Sequence, residues 1–150
     1  METDDQKIAK LKPDFQPIVK EILKRLRRLG WQPKVAEGLR TLAQQQDKVK
    51  RGYSQTLNSY HLTGYAVDII DARYAWNIPQ NHRFWYDLGI TTLDLAKTEP
   101  ALGWGGLWSR GKVDTTKESS RLAAYTRAVT EGKLGLITWF ADVAHVEMRK

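Results

Sequence analysis

Hydrophobic side chains recur at intervals of three and four residues between positions 15 and 29, and Gly30 follows the last of them. This period matches one face of an α-helix, so the segment predicts an amphipathic helix, with Pro13 able to occupy its first turn. The opposite face is cationic and can meet water or an anionic surface. The hydrophobic face consists of Phe15, Ile18, Val19, Ile22, Leu23, Leu26 and Leu29, and the cationic face of Lys20, Lys24, Arg25, Arg27 and Arg28.

Three shorter segments have the composition and alternation typical of β-strands. Residues 31–37 follow the stop at Gly30, and Pro33 favours an edge strand because proline cannot donate a ladder hydrogen bond. Residues 65–70 predict a second strand, and residues 143–148 predict the last one. Strands this short indicate a small sheet.

Further helices are predicted at residues 41–50, at 81–97 (as one helix or two short ones) and at 120–131. Residues 52–59 are polar and rich in turn formers, which indicates an exposed loop. The glycine-rich run 103–108 is predicted to form no regular element, and the polar stretch after it continues as a loop.

The length and composition limit how the chain is organised. With 150 residues and 41% hydrophobic content, it suits one domain, residues 1–150, with no room for a separate binding module. Because the chain has no cysteine, disulfides and thiolate metal sites are excluded. Any metal must therefore be held by nitrogen and oxygen ligands.

A formal net charge of +7 favours anionic partners such as nucleic acid, phospholipid head groups, lipopolysaccharide or an acidic cell-wall polymer. The excess is spread along the chain, so the cations can equally form an ordinary solvated surface. The acidic start is not followed by a hydrophobic signal region, and no segment approaches membrane-spanning length. We therefore expect a protein made in the cytoplasm without a signal peptide.

The candidate chemistry begins at Asp68, which alternation places on one strand face between Ala66 and Ile70. An ionised carboxylate among hydrophobic neighbours must pair, protonate or bind metal. A turn at Gly64 can bring His61 beside it. The alternative is structural: Asp68 caps a helix or pairs with an arginine, and His61 is a surface histidine.

A second group at the end of the chain favours the metal. His145 and Glu147 share one face of the predicted last strand, and Asp142 precedes them. Two histidines and one carboxylate leave a fourth position open for water, as in a catalytic zinc site. Strict alternation puts Asp142 on the opposite face from His145, so the strand must begin after Asp142 or contain a bulge. The third histidine, His82, lies at a predicted helix start and is not expected to be a ligand.

These residues form a set of motifs that resembles the VanY-type zinc peptidases, and within them the phage endolysin branch of L-alanyl-D-glutamate peptidases. The resemblance covers roughly residues 40–147. Its motifs are Gly38-Leu39-Arg40-Thr41 with Gln45, Ser59-x-His61-x-x-Gly64-x-Ala66-x-Asp68, Trp104-Gly105-Gly106-x-Trp108, and Asp142-x-x-His145-x-Glu147.

The resemblance implies an α+β fold, with a small antiparallel sheet flanked by helices around a single zinc site that holds one Zn²⁺ per chain. It implies His61, Asp68 and His145 as zinc ligands. Asp142 would be the general base, and Arg40 would stabilise the oxyanion. The substrate side would include Ser59, Gln45 and Trp104.

The activity so implied is hydrolysis of peptidoglycan stem peptides, at the L-alanyl-D-glutamate bond, by a monomeric phage endolysin without a separate cell-wall-binding domain. The enzyme would reach periplasmic peptidoglycan after holin-type release during host lysis. The positive charge suits outer-membrane lipids or lipopolysaccharide as further partners. A D-alanyl-D-alanine carboxypeptidase with the same zinc site is the alternative, and an inactive zinc-containing binding domain is a more distant one. Nucleic-acid binding rests on charge alone and is not expected.

Overall fold

A four-stranded antiparallel sheet lies at the centre of the structure, a computed structural model that describes residues 1–54, 59–108 and 115–150. The helices around it are α1 (Asp4–Ala9), α2 (Gln16–Arg28), α3 (Leu42–Lys50), α4 (Arg83–Ala96) and α5 (Thr115–Glu131). The strands are β1 (Pro33–Glu37), β2 (Ala66–Asp71), β3 (Leu102–Trp104) and β4 (His145–Met148). The predicted α+β fold is confirmed.

The strands are ordered β1-β2-β4-β3, which makes β1 an edge strand, as Pro33 predicted. In the register of the sheet, Asp68 lies between two neighbours, Glu37 on β1 and His145 on β4. Side chains directly opposite each other in an antiparallel pair project to the same face. Three ionisable side chains therefore form a row across one face of the sheet.

The predicted amphipathic helix, α2, packs its hydrophobic face against α4 and β1. The short helix α1, which the periodicity did not predict, begins with a capping box between Thr3 and Gln6. Lys7 Nζ donates to the backbone oxygen of Val35 at 2.9 Å, and Asp4 accepts from the N–H of Val35 at 3.0 Å. These bonds cover backbone groups on the free edge of β1, where unpaired strand groups would otherwise be exposed.

The segment predicted to be irregular contains strand β3, so that prediction was wrong. Trp104 ends this strand and is fully buried. A Cβ atom at Gly89 would lie 2.7 Å from the Trp104 ring, and one at Gly106 would lie 2.3 Å from it. The two glycines make room for the indole, which is why a glycine-rich sequence here forms part of the core.

Several boundaries differ from the predictions. Helix α4 continues through Gly89 as one helix, α5 begins at Thr115 instead of residue 120, and β4 begins at His145 instead of residue 143. The loops predicted at 52–59 and 109–120 lie partly outside the described residues. Within the described parts of the chain, no helix has both the length and the apolar character needed to cross a bilayer. The single domain and the monomeric state stay predictions.

The buried carboxylate of Asp71, at the end of β2, stabilises the connection to the next helix. It accepts hydrogen bonds from the backbone N–H of Gln32 at 2.8 Å and of Arg73 at 2.9 Å. Burial by itself would raise the pKa of Asp71, but the bonds from Arg73 and Gln32 outweigh it and the pKa lies below its usual value. This stabilisation is present above the unfolded-state pKa of about 4 and is lost as the pH falls through the lower folded-state pKa.

We predict that Asp71→Asn lowers the free energy of unfolding by about 2 kcal/mol at pH 7, because an amide cannot accept all of these bonds. Urea denaturation measures the change, and the difference from wild type should shrink as the pH falls below about 4. The control is Asp47→Asn, since Asp47 forms an exposed pair with Arg51 and should change stability by less than about 0.5 kcal/mol. Equal effects of the two substitutions would contradict this assignment.

Candidate metal centre and active-site cleft

His61 is held by a short 3₁₀ turn, Tyr60–Leu62, that precedes β2. The hydroxyl of Ser59 caps this turn and accepts from the N–H of His61 at 3.2 Å. Gly64 then reverses the chain with a φ of +81°, and a Cβ there would lie 3.2 Å from the backbone nitrogen of Lys12. The predicted glycine turn is therefore present and brings His61 beside β2.

Asp68 and His145 meet because β2 and β4 pair directly at these two residues. Strand β4 begins at His145, so Asp142 lies before the strand and the alternation of β4 does not constrain it. Of the two predicted possibilities, a strand that begins after Asp142 or a bulge, the structure has the first. The N–H of His145 donates to the backbone oxygen of Asp142 at 3.1 Å, which holds the preceding turn against the strand.

Three ligand atoms of His61, Asp68 and His145 lie within 4.8 Å of one another, and all three side chains are buried. His61 Nε2 is 3.5 Å from Asp68 Oδ2, and His145 Nδ1 is 3.4 Å from Asp68 Oδ1. Ligands about 2.1 Å from a tetrahedral zinc ion are separated by about 3.4 Å. The spacing therefore fits a zinc ion at this place.

The outer nitrogen of each histidine has its own hydrogen-bond partner. His61 Nδ1 is 2.8 Å from the backbone oxygen of Gly38, and His145 Nε2 is 2.9 Å from Glu147 Oε1. Because a carbonyl or carboxylate oxygen accepts, each of these nitrogens carries a proton, and the second nitrogen of each ring, on the side of Asp68, is the one that can coordinate a metal ion. Such partners orient metal-binding histidines and raise their basicity.

Carboxylates dominate the electrostatics of this cluster. Desolvation opposes ionisation of Asp68, but His61 and His145 outweigh it and hold the pKa of Asp68 well below its usual range. Burial would lower the pKa of His145, yet Asp68, Glu147 and Asp142 raise it to about 10. The field at His145 thus strongly favours a positive charge, which a proton or a metal ion can supply.

A buried oxygen also lacks a partner in this cluster. Among the described residues, Asp68 Oδ1 is inaccessible to solvent and accepts no hydrogen bond. An unpartnered buried carboxylate oxygen is costly, and coordination to a cation would satisfy it. The nitrogen and oxygen donor set, its spacing and this oxygen all fit a divalent metal.

Asp142 lies beside the cluster, with 51% of its side chain exposed and Oδ2 at 3.8 Å from His145 Nδ1. Desolvation and the nearby charge of Asp68 raise the pKa of Asp142 to about 6. Gly105 fixes its position, because the N–H of Asp142 donates to the oxygen of Gly105 at 3.1 Å. A Cβ at Gly105 would lie 2.4 Å from the Asp142 backbone oxygen. Any other residue at Gly105 would displace the turn that carries Asp142.

Arg40 is buried, although it lies just before the first residue of α3. Its Nε donates to Glu37 Oε1 at 2.8 Å, and its Nη1 donates to Gln45 Oε1. The N–H of Arg40 also donates to the backbone oxygen of His61 at 2.9 Å, which ties the arginine to the metal cluster. A guanidinium held by these bonds keeps a fixed direction.

Two of the predicted substrate contacts, Gln45 and Trp104, lie in the interior, and their contact with a substrate stays a prediction. Gln45 is fully buried and orients Arg40 from behind. Trp104 is also fully buried, and its indole N–H donates to the backbone oxygen of Val143 at 2.7 Å. The substrate contact of Ser59 stays a prediction, and the structure adds its capping of His61. His82 caps α4 through its ring nitrogen and lies outside the cluster, as expected.

The metal cluster opens into a cleft of about 1040 Å³. Trp108 of the tryptophan–glycine motif lines this cleft, and its ring centroid lies 4.7 Å from that of His145. Sequence reasoning missed Trp76 and Lys48, which belong to no recognisable motif. The lining residues are Ala36, Glu37, Arg40, Lys48, Tyr53, Ser54, Ser59, Tyr60, His61, Asp68, Trp76, Trp108, Asp142, His145, Glu147 and Arg149.

Comparison with known proteins identifies a matching family model and a solved structure with a similar fold. The family model described as phage L-alanyl-D-glutamate peptidase matches residues 2–123, a span that includes His61 and Asp68 and ends before Asp142 and His145. The crystal structure of the Serratia marcescens L-Ala D-Glu endopeptidase ChiX is similar, with 22% identity and a TM-score of 0.58 over 97% of this chain and 86% of that one. That similarity shows a shared fold. No curated protein matches the chain significantly.

We predict that Glu147→Gln weakens Zn²⁺ binding about 10- to 100-fold, because a neutral amide replaces the carboxylate that orients His145. Competition with a chromogenic chelator measures the affinity. Glu131→Gln is the control, since Glu131 forms an exposed pair with Lys133 and should leave the affinity unchanged. An unaltered zinc affinity in a folded Glu147→Gln protein would show that this carboxylate does not support the site.

Proposed function

The chain belongs to the phage L-alanyl-D-glutamate peptidase family, and on that premise we propose that it is a zinc-dependent endopeptidase that cleaves the L-alanyl-D-glutamate bond of peptidoglycan stem peptides. The observation that carries the proposal is the buried set of His61, Asp68 and His145 at the base of a wide cleft, with Asp142 at its side. Three protein ligands beside an open cleft are typical of catalytic zinc sites, whereas structural sites are closed by four.

Zinc bound to these three residues would supply the Lewis acidity that makes water nucleophilic near neutral pH and polarises the scissile carbonyl. Asp142 takes the proton of the attacking water on its carboxylate as the water oxygen bonds to the carbonyl carbon. It then delivers that proton to the amide nitrogen as the carbon–nitrogen bond breaks. The half-exposed position of Asp142 beside His145 suits both transfers.

Arg40 stabilises the negative charge that develops on the carbonyl oxygen. Its side chain lines the cleft and is held by Glu37 and Gln45 before any substrate arrives. Donors that are fixed in advance stabilise a transition state without the cost of reorganisation.

We propose further that the protein acts as an endolysin, which is made in the host cytoplasm and reaches periplasmic peptidoglycan through a holin-type pore. The cationic face of α2 supports a second contact, with anionic outer-membrane lipids or lipopolysaccharide. Its exposed members are Lys20, Lys24, Arg27 and Arg28.

Product analysis tests the proposed bond. Purified peptidoglycan should yield new L-alanine carboxyl ends and D-glutamate amino ends, and a chelator should abolish the reaction until Zn²⁺ is restored. Asp142→Asn should lower kcat by about 10²- to 10⁴-fold with unchanged zinc content, because the amide cannot accept the proton. Asp47→Asn is the control. Release of free D-alanine would instead identify a carboxypeptidase, and activity in the metal-free protein would refute the zinc mechanism.

Expression in a Gram-negative cell tests the proposed location. Cells that produce the protein should stay intact until the inner membrane is permeabilised, for example by coexpression of a holin, and should then lyse within minutes. The Asp142→Asn protein should cause no lysis under the same conditions. Lysis by wild type without permeabilisation would contradict the requirement for release.

A further inference from the structure

The connection between β2 and α4 presents an indole at the cleft in an unusual way. Trp76 lines the cleft and is 57% exposed, although a tryptophan gains substantially from burial. Its ring lies nearly parallel to that of the buried Trp85, at 27° and 6.5 Å between centroids. Trp76 thus neighbours the core at Trp85, and the larger part of its indole is exposed at the cleft.

The backbone beside Trp76 is strained. Ala75 has a φ of +49°, the one positive value among the non-glycine residues that the structure describes. A left-handed conformation is costly for a residue with a Cβ, and such strain persists where the surrounding structure imposes it, often at functional sites. Here the N–H of Ala75 donates to the oxygen of Asp71 at 2.8 Å, and that of Asn77 donates to Tyr74 at 3.0 Å. These bonds hold Trp76 at the cleft at the cost of strain at Ala75.

The same connection contacts the turn that carries the predicted general base. Gln80 Nε2 donates to the backbone oxygen of Ala141, the residue before Asp142, at 3.2 Å. The connection that bears Trp76 is therefore joined to the Asp142 side of the cleft. Arg40 belongs to a different group of contacts. It pairs with Glu37, and Lys48 Nζ lies 3.8 Å from Glu37 Oε2. The cleft thus combines a cationic wall and an aromatic surface.

The substrate of the proposed function has an acidic part and an uncharged sugar, which match the cationic wall and the aromatic surface of the cleft. In a stem peptide with diaminopimelate after D-glutamate, both of these residues carry free carboxylates, whereas the amino end of L-alanine is attached through a lactyl group to an uncharged muramyl sugar. One extended residue spans roughly 3.5 Å, so the sugar begins within about 10 Å of the scissile carbonyl and must enter the cleft. Carboxylates suit the wall of Arg40 and Lys48, while the apolar face of a pyranose ring suits an exposed indole.

We propose that Trp76 forms a subsite for the N-acetylmuramyl sugar that precedes the scissile bond. The substrate then lies with its glycan end against Trp76 and its acidic peptide end toward Arg40 and Lys48. This inference rests on the proposed function and adds to it a preference for peptides that are still attached to glycan.

Two substrates with the same scissile bond test the subsite: the free tripeptide L-Ala-γ-D-Glu-diaminopimelate and its N-acetylmuramyl form. Trp76→Ala should lower kcat/KM for the muramyl peptide about 3- to 10-fold, chiefly through KM, because one aromatic contact is lost. Its kcat/KM for the free tripeptide should stay within about twofold of wild type, since the peptide contacts remain. Trp76→Phe should retain part of the preference for the muramyl form.

Tyr53→Ala is the matched control, because Tyr53 is another exposed aromatic residue of the same cleft and lies near Lys48. It should leave the ratio of kcat/KM for the two substrates unchanged. Provided that wild type cleaves the free tripeptide, three results would each overturn the subsite. They are equal losses on both substrates for Trp76→Ala, no loss on either substrate, and the same glycan-selective loss for Tyr53→Ala. A wild-type protein that cleaves neither substrate would overturn the proposed function as well.

Discussion

The concentration of negative charge on one face of the sheet is the constraint on which the rest of the structure depends. Asp68 lies opposite both Glu37 and His145, and Asp142 and Glu147 add two carboxylates beside the same histidine. Buried carboxylates must be compensated. Arg40 offsets Glu37, and Arg149 offsets Glu147 and itself pairs with Glu118 of α5. Among the described residues, Asp68 Oδ1 remains without a hydrogen-bond partner, and a divalent ion bound there would both stabilise this face of the sheet and supply chemistry.

Close backbone approach is the second requirement, and glycine meets it. Gly105 lets the turn at Asp142 lie directly against the 3₁₀ segment Gly105–Leu107, while Gly89 and Gly106 accommodate the ring of Trp104. The tryptophan and the glycines therefore act together. The indole fills the core beneath the site, and the backbone above it positions the residue proposed as the general base. The motif from which a substrate contact at Trp104 was predicted thus mainly packs the turn that carries Asp142.

The cleft combines parts that differ in how firmly they are held. Arg40 is buried and fixed by Glu37 and Gln45, whereas Lys48 is partly exposed and lies 3.8 Å from Glu37. Trp76 is exposed, and its ring centroid lies 6.5 Å from that of Trp85. Groups that act on the reacting bond need a fixed direction, because small displacements are costly in a transition state. Groups that contact the remainder of a polymeric substrate tolerate more freedom.

The sequence by itself determined the main elements, the edge position of β1, the glycine turn before β2 and the convergence of His61, Asp68 and His145. These features depend on local periodicity, on proline and glycine geometry, and on spaced motifs that can be read along the chain. Helix α1, strand β3 and the true positions of Gln45 and Trp104 were decided only by the tertiary structure. A polar residue in a motif can point at a ligand or at another side chain, and its sequence context is the same in both cases. Burial, which distinguishes the two, depends on residues far away in the chain: Gln45 is enclosed behind Arg40, and Trp104 fits between glycines that lie 17 positions apart.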